Sequence, residues 1–215
     1  TAKGLWTIYT TLTLACVFAY EWAGMSWFDA IMHAFTTLGL GGFSSHDASF
    51  AYWNSPLIES IAVVFMLFAG INFAAHFLVW RSKSFAPYHH DSEAISYLSI
   101  VLLSCVGVAF YLWAENIYPD LLTALRYATF NVVSVATTTG FSNTDYGLWP
   151  IFLPLWMIFL SGIATSSGST GGGIKMIRAR ILSKLVYREI ISIMHPQAVT
   201  PAKVSRNVIS NRVIL

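Results

Sequence analysis

Two short segments rich in glycine and threonine carry the chemistry that this sequence suggests. Residues 42–44, Gly-Phe-Ser, recur as residues 140–142, and at the same offset Asp47 matches Asp145. Small residues let the main chain face a bound ion, and carbonyl oxygens can replace the water shell of a cation. The candidate ion-binding residues, called here the first and second runs, are Gly39, Leu40, Gly41 and Gly42, and Thr137, Thr138, Thr139 and Gly140.

Each run follows a short apolar stretch, residues 27–38 in the first copy and residues 121–135 in the second. Stretches of this length are too short to cross a bilayer, so we expect two re-entrant helices. The carboxyl end of a helix carries partial negative charge, which favours a cation at the loop that follows. Asp47 and Asp145 come just after the runs. They either concentrate cations or cap the next element, and the sequence leaves both roles open.

A third polar segment, residues 161–173, interrupts an apolar stretch. Irregular backbone at membrane depth is tolerated where protein or a water-filled cavity satisfies it. The segment therefore predicts a plug below the runs or, alternatively, a helix kink packed through small residues. Its glycine spacing is that of a phosphate-binding loop, but Ile174 stands where such a loop requires lysine. Lys175 either points toward the ion path or anchors the cytoplasmic side. The candidate gating residues are Ala164, Thr165, Ser166, Ser167, Gly168, Ser169, Thr170, Gly171, Gly172, Gly173 and Lys175.

The composition is typical of a membrane protein. Hydrophobic residues make up 56% of the chain and charged residues 10%, with a mean hydropathy of +0.62. Soluble domains carry about 25% charged residues. A net charge of +2 without a basic stripe argues against a nucleic-acid partner. Cys16 and Cys105 lie inside apolar stretches, where cysteine behaves as a small hydrophobic residue, so we predict no disulfide and no metal site.

Longer helices must position the runs, and the sequence predicts the same order of elements twice. The predicted long helices and apolar stretches cover residues 5–20, 56–80, 94–114, 148–162 and 174–193. We therefore predict an all-α integral membrane fold of tandem repeats, each made of a helix, a re-entrant pore helix with its filter loop, and a second helix. Residues 1–93 form one repeat, residues 94–194 a second repeat with an interrupted last helix, and residues 195–215 a linker.

Charges are distributed asymmetrically between the ends of these helices. Basic residues flank one end and acidic residues the other, with Arg126 as the exception. By the positive-inside rule the basic end is cytoplasmic and the runs open outward. Glu93 falls in a polar cytoplasmic connector with Asp91. The basic positions are Lys3, Arg81, Lys83, Arg178, Arg180, Lys184 and Arg188, and the acidic positions are Glu21, Asp29, Asp47, Glu115, Asp120 and Asp145.

An intramembrane serine protease is the alternative from another class of function. Ser44, Ser167 and Ser169 lie near glycines, and His33 and His76 lie in apolar stretches. Such an enzyme needs one nucleophile and one base rather than a duplicated loop, so the duplication favours a pore. Neutral histidines hydrogen-bonded between helices are the simpler interpretation of His33 and His76. Two histidines on different helices could hold a metal or haem, but we predict no such site here.

Four stretches give the chain a specific resemblance to a known family. They are residues 31–47 (IMHAFTTLGLGGFSSHD), 135–145 (VATTTGFSNTD), 168–175 (GSTGGGIK) and 195–199 (HPQAV). The chain resembles the pore-forming subunit of the Trk/Ktr/HKT superfamily of potassium transporters, most closely the bacterial TrkH/TrkG type. The resemblance implies four helix–pore-loop–helix repeats around one pore, of which this chain holds the second and third. It also implies that Gly42 and Gly140 are filter glycines and that the third repeat contains an intramembrane gating loop.

The same resemblance implies a function, a location and partners. It implies potassium uptake by a multi-pass inner-membrane subunit, with K⁺ as the transported ion bound through backbone carbonyls and no cofactor in this chain. The implied assembly is a homodimer, surrounded by membrane lipid, on a cytoplasmic nucleotide-binding regulatory subunit of the TrkA type. The TVGYG sequence of tetrameric potassium channels is absent, so a less selective Na⁺/K⁺ channel is a further alternative. We expect no enzymatic activity.

Overall fold

The computed structural model describes residues 2–194 and, beyond them, the backbone of two short strands. The elements are α1 (Ala2–Trp22), α2 (Trp27–Leu38), a 3-10 turn (Ser49–Tyr52), α3 (Pro56–Ala69), α4 (Phe73–Ser82), α5 (Ala86–His90), α6 (Ser92–Ala114), α7 (Leu121–Ala136), a second 3-10 turn (Tyr146–Leu148), α8 (Phe152–Ile163), α9 (Met176–Met194), β1 (Lys203–Val204) and β2 (Asn207–Val208). The two strands pair antiparallel, with Lys203 opposite Val208.

The helices form two units that follow one plan. In each unit a long helix, α1 or α6, packs against a short one, α2 or α7, and one of the runs follows the short helix. Two further helices complete each unit, α3 and α4 in the first and α8 and α9 in the second. Because α3 packs against α7, the units are in direct contact. The predicted all-α fold with its repeated short helices is confirmed.

Aromatic residues fill the core where the units meet, whereas the outer surface is apolar. Phe50, Phe130 and Phe141 are fully buried, and the Phe50 ring centroid lies 5.0 Å from that of Phe130 and 4.6 Å from that of Phe141. Trp6 and Leu103 are 70% and 72% exposed. An extended outer surface of such side chains suits lipid better than water.

Side-chain caps explain where the two short helices begin. The hydroxyl oxygen of Ser26 accepts a bond from the amide of Asp29 at 3.1 Å, and a carboxylate oxygen of Asp120 accepts one from the amide of Thr123 at 2.8 Å. Such bonds satisfy amides that the first turn of a helix leaves free. The amide and hydroxyl of Thr123 hold the pKa of the Asp120 carboxyl below its usual value.

One helix among the described residues, α6, is long and apolar enough to cross a membrane, and the pair α3 and α4 meets the same criterion if counted as one bent span. The predicted continuous span over residues 56–80 is wrong, because these two helices lie at 93° to each other. A side-chain oxygen of Asn72 accepts a bond from the amide of Ala74 at 2.8 Å and so begins a new helix. α3 ends at Gly70, where a Cβ atom would overlap the side chain of Tyr97.

The structure corrects three smaller expectations. α8 begins at Phe152 rather than at residue 148, because a 3-10 turn precedes it. The connector after α4 contains α5. Glu93 lies in the first turn of α6 and is only 7% exposed, so it is not a solvated connector residue. The predicted linker over residues 195–215 lies outside the described residues, apart from the backbone of β1 and β2.

Candidate ion pathway

The two runs adopt the same backbone conformation. Leu40 and Thr138, at matching positions, have left-handed φ angles of 50° and 64°. Gly42 and Gly140, two positions later, have φ angles of 67° and 92°. A left-handed conformation costs a residue with a side chain about 1–2 kcal/mol, so surrounding bonds must hold Leu40 and Thr138 in place. The two runs are therefore repeated in their backbone structure as well as in their sequence.

The surrounding bonds are duplicated too. The hydroxyl of Thr36 donates to the carbonyl of Phe43 at 2.8 Å, and the hydroxyl of Ser134 donates to the carbonyl of Phe141 at 2.6 Å. Each bond ties the last turns of a short helix to the residue that follows its run. Matching amide-to-carbonyl bonds run from Gly39 to Phe35 and from Thr137 to Val133, all at 2.9 Å, and from Gly41 to Thr36 and from Thr139 to Ser134, all at 2.8 Å.

The carbonyl oxygens of the runs face no protein donor. Within the part of the chain that the structure describes, no hydrogen bond is donated to the carbonyls of Gly39, Leu40, Gly41, Gly42, Thr137, Thr138, Thr139 or Gly140. Most carbonyls in folded proteins are paired with a donor when they are buried. Carbonyls left available in this way are the ligands that can replace the water of a potassium ion.

The two runs touch each other through their main chains. A Cβ atom on Gly42 would overlap the carbonyl oxygen of Thr139, so only glycine permits this approach. Gly140, in contrast, has open space where a side chain would lie. Just beyond the runs, the amide of Phe50 donates to the carbonyl of Ser142 at 2.9 Å. The runs therefore form one continuous surface across the two units.

The candidate gating segment is bonded to the end of α2, just before the first run, and to the second run itself. The hydroxyl of Thr170 donates to the carbonyl of Leu38, the last residue of α2, at 2.8 Å. The amide of Gly172 donates to the hydroxyl of Thr138 at 2.7 Å. The segment between α8 and α9 is an irregular loop rather than a kink within one helix, and it lies at the carboxyl ends of both short helices.

The gating segment also fills the break between α3 and α4. The amide of Ser166 donates to the carbonyl of Gly70 at 2.9 Å, and the amide of Phe73 donates to the carbonyl of Gly168 at 3.1 Å. These bonds satisfy backbone groups that the bend and the loop would each leave free at membrane depth. The bend in the first unit and the loop in the second therefore stabilise each other.

Glu93 holds the gating segment from the side. Its carboxylate accepts bonds from the amide and the hydroxyl of Ser167 at 2.6 and 3.0 Å. It also accepts a bond from the amide of Ile177, in the first turn of α9, at 3.1 Å. Sequence reasoning missed this arrangement. The available signal was a carboxylate at the start of an apolar helix, where a charge persists only with partners.

Lys175 folds back onto the gating segment. Its ammonium group donates to the hydroxyl of Ser169 at 3.3 Å and to the carbonyl of Gly171. The φ angle of Lys175 is 74°, so the backbone turns sharply between the loop and α9. The structure thus places this charge within the loop, bonded to the loop itself.

The two aspartates after the runs lie close to one another. Asp47 and Asp145 line one pocket together with Gly140. A carboxylate oxygen of Asp145 accepts a bond from the amide of Gly147 at 3.0 Å and caps the second 3-10 turn, and both aspartates are exposed. Asp145 therefore has a capping role, and both carboxylates contribute negative charge beside the second run.

His33 and His76 are hydrogen-bonded between elements, as the simpler interpretation predicts. His76 contacts the hydroxyl of Tyr88 at 2.5 Å and the carbonyl of Phe68 at 2.9 Å. His33 contacts the hydroxyl of Ser44 at 2.8 Å. The contact between His33 and Ser44 is a serine–histidine pair of the kind that the enzyme alternative requires.

The second unit explains the pair formed by Ser44 and His33. Asn131, at the position that matches His33, donates to the side chain of Asn143 at 2.6 Å. Both pairs tie a short helix to the segment after its run, and the asparagine pair contains no nucleophile. The serine–histidine contact is therefore a structural tie. Nowhere in the described residues do three or more histidine, cysteine or acidic side chains form a group that could hold a metal ion.

A partly buried ion pair that sequence reasoning missed joins the units near the second run. Glu59 on α3 is 3% exposed and bonds Arg126 on α7 at 2.6 Å. Two signals were present in the sequence. Arg126 was the exception to the charge asymmetry, and Glu59 was an acidic residue inside an apolar stretch, which requires a partner.

Fold and site together define an α-helical membrane protein of the pore-loop class, in which repeated short helices carry loops with available carbonyls above an intramembrane loop. The sequence matches the family described as TrkH, cation transport protein, over residues 1–113 and 118–215. The chain belongs to this family.

Named relatives agree with this assignment. The Trk system potassium uptake protein TrkH of Salmonella typhimurium is 42% identical over 214 residues, which cover 100% of this chain and 44% of the relative. The Trk system potassium uptake protein TrkG of Escherichia coli is 35% identical over 214 residues, which again cover 100% of this chain and 44% of the relative. The crystal structure of the potassium transporter TrkH from Vibrio parahaemolyticus matches with a TM-score of 0.95 and 41% identity, covering 100% of this chain and 46% of that one. The chain thus spans less than half the length of these relatives, and the resemblance to the TrkH/TrkG type is confirmed.

Proposed function

We propose that this chain forms part of the pore of a Trk-type potassium uptake system. One observation carries the proposal: two loops share one backbone conformation, their carbonyls face no donor among the described residues, and the gating segment is bonded to the residue before the first loop and to the second loop. The relatives named above are potassium uptake proteins, which supports potassium as the ion.

In the proposed mechanism, potassium enters past Asp47 and Asp145, whose charge raises the local cation concentration. The ion then exchanges its water for the carbonyls of the two runs, with Gly42 and Gly140 as the filter glycines. The gating segment must move before the ion can leave toward the cytoplasm, because it is bonded to the end of α2 beside the first run and to Thr138 in the second. Potassium is the cargo, and the mechanism requires no cofactor in this chain.

In the complete protein, residues 1–93 and 94–194 would be the second and third of four repeats around one pore, and residues 195–215 would lead to the fourth. The protein would cross the inner membrane several times, with the basic ends of its helices in the cytoplasm. The apolar outer surface supports contact with membrane lipid.

The proposed assembly is a homodimer that docks on a nucleotide-binding regulatory subunit of the TrkA type. α9 supports this proposal because it carries Arg178, Arg180, Lys184 and Arg188 and follows the gating segment directly. A partner that moves α9 would therefore act on the loop through a short, continuous stretch of chain.

The first test is potassium uptake by the full-length protein in a bacterial strain that lacks its own uptake systems. We compare the wild type with Gly140→Ser at low potassium, with and without sodium. The side chain would enter open space beside the second run and would strain a residue with a φ angle of 92°. We expect Gly140→Ser to fail at low potassium or to become sensitive to sodium.

Gly107→Ser on α6 is the matched control, because Gly107 also has open space around it and no positive φ angle. If Gly140→Ser supports growth as well as Gly107→Ser does, and sodium has no effect on either, the second run is not part of a filter. Sodium inhibition of the wild type itself would favour the less selective Na⁺/K⁺ channel, which the absence of TVGYG also favours.

The contact between Ser44 and His33 is the one observation that favours an intramembrane enzyme. Ser44→Ala distinguishes the two classes of function when potassium uptake and proteolysis are both measured. Loss of a structural tie should leave measurable potassium uptake, because the other bonds of the first run remain. An intramembrane protease would instead support no potassium uptake as the wild type, and Ser44→Ala would abolish its cleavage of a membrane-embedded peptide.

A further inference from the structure

The two runs share their inner bonds but differ in how they are supported from outside. In the first unit, Asp29 on α2 accepts a bond from the hydroxyl of Ser45 at 2.6 Å, and His33 on the same helix contacts Ser44 at 2.8 Å. Both ties stay within one unit. The first run is therefore supported by its own short helix.

The second run is supported from the other unit. Glu59 on α3 accepts a bond from the side-chain amide of Asn143 at 2.9 Å, and Asn143 accepts one from Asn131 on α7 at 2.6 Å. Asn143 follows closely after Gly140 in the chain. The segment that leaves the second run is thus held between a helix of its own unit and a helix of the other.

An ion pair fixes the carboxylate of Glu59 in this position. Arg126 on α7 donates from Nη2 to Oε1 of Glu59 at 2.6 Å and from Nε to Oε2 at 2.8 Å. Nη2 also donates to the side chain of Asn54 at 2.8 Å. Bonds to both oxygens restrict the carboxylate to one orientation, and Oε2 is the atom that accepts from Asn143.

The first unit lacks the residues that would receive such a support. Phe28 stands at the position that matches Arg126, and Ser45 stands at the position that matches Asn143. Two loops with the same inner geometry therefore differ in what holds their outer ends. Among the residues that the structure describes, only the second is held by a neighbouring unit through an ion pair with a buried carboxylate.

We propose that Glu59 is a positioning residue that sets the preference of the second run for potassium over sodium, and this proposal rests on the pore function proposed above. Selectivity depends on the spacing and stiffness of the coordinating carbonyls. Carbonyls that can relax inward accept the smaller sodium ion as well. Because Glu59 fixes Asn143, it limits this relaxation of the second run without touching the ion.

The test measures potassium uptake by the full-length protein over a range of sodium concentrations. We compare the wild type with Glu59→Ala, Glu59→Asp and Asn143→Ala. Glu115→Gln is the control, because it changes an exposed carboxylate just after α6 that supports neither run among the described residues. We expect sodium to inhibit Glu59→Ala and Asn143→Ala severalfold more strongly than the wild type. Glu59→Asp should recover part of the wild-type preference, and Glu115→Gln should stay close to the wild type.

The sodium dependence separates positioning from folding. A variant that is only made in smaller amounts takes up less potassium, but its fractional inhibition by sodium does not change. Asn143→Ala keeps the ion pair between Glu59 and Arg126, so it tests the idea even if Glu59→Ala fails to reach the membrane. Wild-type inhibition in Asn143→Ala, or an equal change in Glu115→Gln, would overturn the proposal. If the wild type itself takes up no potassium, the proposed function fails instead.

Discussion

Gly42 and Gly140 occupy matching positions, but glycine is needed there for different reasons. Both have positive φ angles, which any residue with a side chain adopts only at a cost. At Gly42 there is a second reason, because a Cβ atom would overlap the main chain of Thr139. At Gly140 no atom lies nearby. One glycine is therefore required by conformation and packing together, and the other by conformation alone.

This difference predicts unequal effects of the same substitution. Gly140→Ala should cost about 1–2 kcal/mol of stability, the strain of a left-handed residue. Gly42→Ala should cost clearly more, because the overlapping atom belongs to the backbone of the other unit and the two loops must separate. Thermal unfolding of the purified full-length variants in detergent measures both. Equal melting temperatures for the two variants would show that the loops do not touch as described.

Glu93 acts at the scale of elements, because it connects three of them. Its carboxylate joins the start of α6 to the gating segment and to the first turn of α9. Hydrogen bonds to a charged group each contribute about 1.5–3 kcal/mol, so the three bonds favour the loop in the position that contacts the end of α2 and the second run. When α9 moves, the hydrogen bonds to Glu93 must either break or move with it before the gating segment can leave its position.

We therefore expect Glu93→Gln to increase potassium flux in the absence of any regulatory subunit. The substitution keeps the shape of the side chain but replaces charged hydrogen bonds by neutral ones. A loss of about 2 kcal/mol would raise the population of the released loop about 30-fold. Flux into proteoliposomes that contain only the full-length pore protein is the measurement. Glu115→Gln, on the exposed residue just after α6, is the control. Unchanged or lower flux in Glu93→Gln, with normal amounts of protein, would contradict this account.

Local patterns predicted the elements near the runs but missed those that depend on distant partners. The duplicated glycines required positive φ angles, so the loops at Gly42 and Gly140 could be placed from the sequence. The bend after α3 could not, because residues 70–72 lie inside a long apolar stretch and their backbone is satisfied by Ser166 and Gly168, far along the chain. The Glu93 and Glu59 contacts were missed for the same reason. The donors to Glu93 lie at least 74 positions away in the chain, and the donors to Glu59 lie at least 67 positions away.

For the whole molecule, the proposed path has three levels. The aspartates share a pocket with Gly140 of the second run, the gating segment is bonded to Thr138 of the same run, and α9 leads away from that segment with its basic residues. Arg126 no longer contradicts the positive-inside arrangement, because the carboxylate of Glu59 neutralises its charge within the protein. The remaining charges support a single orientation in the membrane.

That orientation can be tested with cysteines introduced at opposite ends of the path. Ala48→Cys lies beside Asp47 and should react with a membrane-impermeant thiol reagent added to intact cells, whereas Ser183→Cys on α9 should react only after the membrane is opened. Both positions are exposed, while the native Cys16 and Cys105 are buried and should give a low background. Potassium added during labelling leaves this result unchanged, because neither position lies in a run. Labelling of both cysteines from the same side would exclude a path that crosses the membrane between the aspartates and α9.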